Sequence, residues 1–412
     1  MSVASPSPLA WQPLDLTQAA HRDEAWAVSK QACAAPRPGA RAFNLAWRLG
    51  TAEDWTSLRI FVLKRDSAPL GLAVFSRRRR PLKFLLGEIT LAQVELTRYW
   101  HLGEPYLDAS LAEEAAPQVC ASLLEVALNS LSSRECLFLE GLPTGGPLHE
   151  ALKLTRCRGV APLQLGLGND FEHQFIRMPQ SLADYLAQMG GRSRQSVQYS
   201  QRKLVKDMQG DVRCDCFDTE ESIDRFVADA QAISRKTYQW NLLGLGLRDG
   251  DALRASLRFT AQRGWMRSFI LYCKQVPVAF MLGDQQENCY YYDDVGYDPA
   301  YAKSSVGSVL QLMVLEFLFA RADRPAWFDF STGYGEHKGR FGNFSRHETN
   351  LLVMPATLGN RTLVGAYRLN DRASRFAVDL LARAGVKVRL KQLIRRRSAR
   401  KSEPQPSRSE GE

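Results

Sequence analysis

The 412 residues read as a mixed α/β protein, with α+β units and a mixed sheet repeated in tandem. Three observations lead there. Ser268–Lys338 runs strand, strand, strand, small-residue turn, apolar helix, strand, polar cluster. A fainter version of that order occupies Leu58–Pro143. The chain is also long enough to bury two cores, with ordinary values of 45% hydrophobic and 24% charged residues.

In the second half, the strand segments are Phe269–Cys273, Pro277–Leu282 and Asn288–Asp293, separated by short polar turns. Gly296-Tyr-Asp-Pro299 and Lys303-Ser-Ser-Val-Gly-Ser308 follow. An apolar helix is expected over Val309–Ala320, then a strand over Ala326–Gly333. A strand leading through a Gly/Ser turn into a helix suits phosphate. The first helical turn has free N–H groups, and the helix dipole is positive there.

In the first half, Leu58–Leu63 and Leu70–Phe75 read as a hairpin, and Lys83–Leu86 as the start of a third strand. Leu111–Ser130 repeats apolar residues at three and four, as a helix does, and Cys136–Glu140 is a strand. Between the halves, Ser181-Leu-Ala-Asp184 is a helix-start signal. A basic helix follows over Ser193–Met208, then a strand at Val212–Phe217 and an amphipathic helix at Thr219–Lys236. The expected organisation is a loose N-terminus (1–20), two α/β units (21–175 and 176–356), a helical extension (357–390) and a basic tail (391–412).

No apolar run approaches the ~18 residues a membrane helix needs, and the N-terminus shows no signal peptide. A cytoplasmic location is the expectation. Eight scattered cysteines with no C-x-x-C pair, and only six histidines, argue against zinc, so no metal is expected. The net charge of +10 is concentrated in Lys387–Glu412, where nine Lys/Arg face three Glu. A mildly basic body argues against nucleic acid as a partner. The tail leaves room for weak contact with an anionic membrane.

Three local patterns carry a family resemblance: Tyr290-Tyr-Tyr-Asp-Asp-Val-Gly-Tyr-Asp298, Lys303-Ser-Ser-Val-Gly-Ser-Val-Leu310 and Phe328-Asp-Phe-Ser-Thr-Gly-Tyr-Gly-Glu-His-Lys-Gly-Arg-Phe341. Together with the basic helix Arg192–Lys206, they resemble GNAT-superfamily acyltransferases of the cellulose-biosynthesis (CelD-like) type. These are relatives of the Fem peptidoglycan aminoacyl ligases. The resemblance covers roughly residues 181–355. It implies a tandem GNAT-like acyl-CoA N-acyltransferase fold, with acetyl-CoA or another acyl-CoA as co-substrate. It departs from the family at His337, where Tyr is usual. The stretch from Ser304 to Val309 keeps only Gly307 of the usual pyrophosphate loop.

On that resemblance, the backbone of Val295, Gly296 and Tyr297 would pair with the pantetheine arm. The amides of Ser305, Val306, Gly307 and Ser308, after Ser304, would take the pyrophosphate, with Lys303 adding charge. Acyl transfer needs a base, an oxyanion donor and an acid for the leaving thiolate. His337, Glu336 or Asp329 could serve as base. Lys338 could bind an acidic substrate or stabilise negative charge, and Tyr297 or Tyr301 could protonate the thiolate. The basic helix either faces solvent or lines a groove for an anionic acceptor, with Arg194, Arg202, Tyr238 and Trp240 as candidate contacts. The expected reaction moves an acyl group to an amine or hydroxyl of a small molecule or glycan, such as a sugar or polysaccharide precursor. The alternatives are a Fem-like ligase using aminoacyl-tRNA and a degenerate fold used only for binding.

Overall fold

The computed structural model describes residues 9–34, 38–50, 53–87, 89–111, 115–132, 134–237, 246–332 and 335–383. The first half begins with β1 (Ala10–Pro13), α1 (Ala19–Ala34) and α2 (Leu45–Leu49). Strands β2 (Leu58–Arg65), β3 (Ala68–Leu86) and β4 (Ile89–Leu102) follow, then β5 (Tyr106–Leu107), α3 (Ala116–Asn129) and β6 (Glu135–Pro143). Next come α4 (Pro147–Leu154), β7 (Leu163–Gly166), β8 (Phe171–Arg177), α5 (Leu182–Gln188) and α6 (Gly191–Asp207). The second half has β9 (Val212–Phe217), α7 (Ile223–Ser234), α8 (Asp251–Gln262), β10 (Ser268–Cys273), β11 (Val276–Gln286) and β12 (Cys289–Tyr297). It continues with α9 (Val306–Ala320), β13 (Trp327–Asp329), α10 (Glu336–Phe341), β14 (Phe344–Met354) and α11 (Leu358–Arg383).

The strands form one continuous sheet in the order β1-β2-β3-β4-β6-β14-β8-β13-β12-β11-β10-β9, with β5 beside β3 and β7 beside β14. The repeat expected from sequence is visible in this order. In each half an antiparallel run (β1 to β4, β9 to β12) ends in a helical crossover to a parallel strand (β6, β13). The two units are not separate sheets. Strand β14 pairs with β6 through its second part and with β8 through its first. A boundary at 175/176 falls inside β8 (Phe171–Arg177), because that strand joins β13 to β14. Lys83–Leu86 also differs from expectation. It continues β3, and its partner is β4.

Helices cover both faces. One face of the second half is packed by α5, α6 and α9 around Phe269, Tyr290, Tyr292, Phe328 and Phe330. Helices α7 and α8 pack the opposite face around Ile270, Tyr272 and Phe280. In the first half, α3 and α4 cover Phe61, Phe75 and Leu137, while α1 and α2 cover Ile60, Val62 and Val74. Ser181 caps α5 as its sequence signal implies, its hydroxyl accepting from the Asp184 amide. Among the described residues, no helix is long and apolar enough to cross a membrane.

One irregularity positions the site. The β11–β12 register shifts at Leu282/Gly283, so Gly283 faces Tyr292 while Leu282 faces Asp294, and Asp293 is the extra residue of a β-bulge. Gly283 is required there. A Cβ would lie 2.4 Å from the Tyr290 hydroxyl and 2.6 Å from the Tyr291 carbonyl oxygen. Gly283→Ala is expected to destabilise the protein by about 1–3 kcal/mol through overpacking, read as a lower urea midpoint at unchanged slope.

Candidate functional site

The site starts from the bulge. Strands β12 and β13 run parallel for three pairs, Cys289↔Trp327, Tyr290↔Phe328 and Tyr291↔Asp329. Then β13 ends, while β12 continues to Tyr297 with β11 as its strand partner among the described residues. Among the described residues, the edge of β12 that faced β13 is therefore without a strand partner from Asp293 onward. Ser331, with φ of 57°, closes the root of the gap by donating its hydroxyl to the Tyr292 carbonyl at 2.6 Å. In the first half, β4 and β6 stay paired from Thr97↔Glu135 to Leu102↔Glu140, so no equivalent gap opens there.

Beside the gap lies the start of α9. Asp298 caps a 3-10 turn, Pro299–Ser304, and Ser305 adopts the left-handed conformation (φ 53°, ψ 36°) that turns the chain into the helix. The expected four-amide cradle is narrower than the sequence implied. The Ser305 amide donates to Ala302 O and the Ser308 amide to Ser305 O. The amides of Val306 and Gly307 are left at the helix start without an acceptor among the described residues. A Cβ on Gly307 would meet only the Tyr297 ring, at 3.5 Å, so the position is open. Arg340 on α10 brings a cation there, its Nη1 lying 3.4 Å from the Ser308 hydroxyl. Lys303 is exposed on the turn. The Val295 amide is held by the Asp294 carboxylate at 2.8 Å, and Gly296 is fixed by the Phe280 ring, 2.4 Å from where a Cβ would sit.

The polar segment Asp329–Lys338 does not form a single cluster, because Asp329 ends β13 while His337 and Lys338 lie on α10. Asp329 shares a face with Tyr291 and accepts from the His173 ring at 2.7 Å. The other His173 nitrogen meets Glu348 at 3.0 Å, and Arg346 Nε donates to Glu348 at 2.7 Å. Against the cost of burial, the two carboxylates raise His173 to about 9. His173 and the Ser331 amide hold Asp329 below the usual carboxylate range despite its burial. An Asp329 carboxylate held ionised by His173 and the Ser331 amide is a weak base.

His337 lies on the other face, against α9's core, with Nε2 3.0 Å from the Tyr292 hydroxyl. Burial, then the charges of Lys338 and Arg340, push its pKa below 6.5, so the ring is neutral near pH 7. The Lys338 ammonium donates to the carbonyls of Ser331 and Thr332, both at 3.2 Å, tying α10 to the end of β13. The side chain of Glu336, and Tyr238 and Trp240, lie outside the described residues. Arg194 donates to Leu186 O at 3.4 Å, and Arg202 is exposed on α6; neither reaches the β13 end. Tyr297 is exposed beside Gly307, and Tyr301 packs on the α9 core.

Sequence reasoning missed the partners that cross between halves. Arg41 bonds Asp284 at 2.5 Å and the bulged Asp293 at 2.8 Å, and its amide donates to the Tyr291 hydroxyl at 2.7 Å. Burial raises Asp284 to about 6 even beside this cation. A cavity of about 180 Å³ adjoins this region, on Asp329's face of the sheet. Its walls include Phe43, Glu104, His173, Asp329, Thr332 and Arg346. Glu104 is raised to about 7 by burial. No periodicity or spacing signals these contacts, since Arg41 and Asp293 are 252 positions apart.

Residues 191–339 match a family model described as an acetyltransferase (GNAT) domain. No curated protein matches the sequence. Among solved structures, FemX aligns with a TM-score of 0.50 at 10% identity, over 74% of this chain and 90% of that one. A conserved protein of unknown function from Bacteroides thetaiotaomicron aligns at 0.48 and 12%, over 81% and 97%. A tandem GNAT protein from the clavulanic acid biosynthesis pathway aligns at 0.46 and 12%, over 85% and 99%. At 10% identity, the likeness to FemX speaks to fold alone. With the domain match and the repeated strand order, the chain has a tandem GNAT fold.

The ion network yields a pH prediction. A His173 pKa raised from 6.5 to about 9 contributes about 3 kcal/mol, fully present below pH 6.5 and lost as pH rises through 9. His173→Gln should therefore be much less stable than the parent at pH 6.5. The difference should shrink at pH 10, as followed by urea denaturation.

Proposed function

We propose that the protein is an acyl-CoA-dependent N- or O-acyltransferase of the cellulose-biosynthesis (CelD-like) kind. The carrying observation is the gap where β12 leaves β13, set beside the free amides of Val306 and Gly307. An amide-rich pantetheine arm can complete the unpaired β12 edge as a strand would. The pyrophosphate then meets the α9 amides, the positive end of the helix dipole and Arg340. This places the thioester at the root of the gap, near Ser331.

Its chemistry draws on both faces. The cavity beside Asp329 and Thr332 offers the acceptor an entry from the face opposite α9. The buried polar walls suit an amine or hydroxyl, which loses its proton as it attacks the thioester carbon. The tetrahedral intermediate then expels the CoA thiolate. His337, neutral at physiological pH and bonded to Tyr292, is the proton-handling pair. The sugar or polysaccharide-precursor acceptor remains the leading substrate class, with the α6 cations as contacts for an acidic one.

Acetyl-CoA should raise the melting temperature of the protein, and Gly307→Glu should abolish that rise while leaving the unliganded melt nearly unchanged. The Glu side chain has room at this position and places negative charge where the diphosphate sits. A parent protein that shows no shift with millimolar acetyl-CoA contradicts the reading and leaves the aminoacyl-tRNA alternative to be assayed.

His337→Gln should keep acetyl-CoA binding and lower kcat by about 100-fold or more. In the parent, burial keeps His337 deprotonated to lower pH than a free imidazole. The rate should therefore rise through an apparent pKa below 6.5 and stay flat to pH 8, and the variant should lose that acid limb.

A further inference from the structure

Beyond Ser76, β3 no longer pairs with β2, and beyond Arg79, where β4 leaves β6, it continues with β4 as a two-stranded arm. One face of the arm's base carries Arg78, paired across the ladder with Arg98, followed by Arg80, while Trp100 pairs with Ser76. Arg48 reaches the same place from α2. The guanidinium carbons of Arg48 and Arg78 lie 4.2 and 3.6 Å from the Trp100 ring centroid. A groove of about 380 Å³ runs over this patch, with Lys83, Phe138 and Glu140 along its walls.

The charges here do not balance. Glu140 is the one carboxylate lining the groove, and it accepts from the Trp100 indole at 2.5 Å. No carboxylate among the described residues lies within ion-pairing distance of Arg48, Arg78, Arg80, Lys83 or Arg98. The Arg98 Nε is buried without a partner, while Nη2 donates to Pro81 O at 2.8 Å. Burial, then the neighbouring charge of Arg78, press Arg48 down to about 9, and burial lowers Arg78. Both remain cations at neutral pH. Gathering like charges over a buried indole costs free energy that Glu140 and the Trp100 ring offset only in part. A multivalent anion would offset it, and planar guanidinium forks suit phosphate oxygens in particular.

We infer that this groove binds a phosphate- or diphosphate-bearing ligand, gripped by Arg78, Arg80 and Arg98 over Trp100. The site lies on β3, β4 and β6 of the first half, apart from the β12–β13 gap, and stands whether or not acyl-CoA is the co-substrate. Two sources share this chemistry. A soluble phosphorylated metabolite would fill the groove alone. An anionic lipid would also engage the arm's tip, where Ile89 is 66% exposed near Leu85, Leu86 and Leu91. There α11, packed on the arm, exposes Phe376 (71%).

The test uses the full-length protein, the double variant R78Q/R80Q and the control R258Q, which changes an exposed arginine on α8. Sodium pyrophosphate binding is measured by calorimetry at low and moderate salt. Vesicle binding is measured by sedimentation with phosphatidylcholine alone and with phosphatidylglycerol added. R78Q/R80Q should weaken pyrophosphate binding about tenfold or more and reduce its salt dependence, while R258Q and Gly307→Glu keep it. Sedimentation with phosphatidylglycerol vesicles that R78Q/R80Q abolishes and pyrophosphate competes identifies a lipid headgroup. Pyrophosphate binding without vesicle binding identifies a soluble ligand. Undetectable pyrophosphate binding to the parent, or parent-like affinity for both probes in R78Q/R80Q, overturns the inference.

Discussion

The architecture turns on how far two parallel strands remain hydrogen-bonded. In the first half, β4 and β6 pair over six residues, and the sheet is sealed. In the second, β12 and β13 pair over three and then part. The bulge at Asp293 makes the parting stable, because one extra residue bends β12 away while β11 follows it. Arg41, from the first half, holds the bulged carboxylate and Asp284 together. Two copies of one topology thus have different roles. The sealed copy supplies a wall and an anchor, and the open copy supplies the cleft.

The continuous sheet also explains why polar groups near in sequence act on different sides. Asp329 and His337 are eight positions apart, yet Asp329 joins His173 and Glu348 on one face while His337 sits with Tyr292 on the other. The His173 network bridges β8, β13 and β14 where the halves meet. A buried imidazolium between two carboxylates is strongly coupled, and loss of any member leaves an uncompensated charge. That rigidity holds the end of β13, and with it the root of the cleft, in place.

Much of the fold was legible because it rests on local signals. The Ser181 cap, the apolar run of α9 and the order strand, turn, helix, strand all show in short windows. The family likeness at Tyr290–Asp298 and Lys303–Leu310 falls within the residues that match the GNAT domain model. What escaped were features set by pairing across the sheet. The Arg77–Arg80 run hides the alternation of β3, so its 19-residue length was not seen. The His173–Glu348 and Arg41–Asp293 contacts join residues 175 and 252 positions apart. Arg340 reaches Ser308 through the placement of α10, which no short window encodes. The division of Asp329–Lys338 between two faces depends on where β13 stops, which composition does not encode.

The most direct test follows backbone amide resonances during titration with CoA. The account predicts that Val306, Gly307 and the β12 edge from Asp293 to Tyr297 shift together and saturate with one dissociation constant. Perturbations confined to the first half, or none at the start of α9, would contradict it.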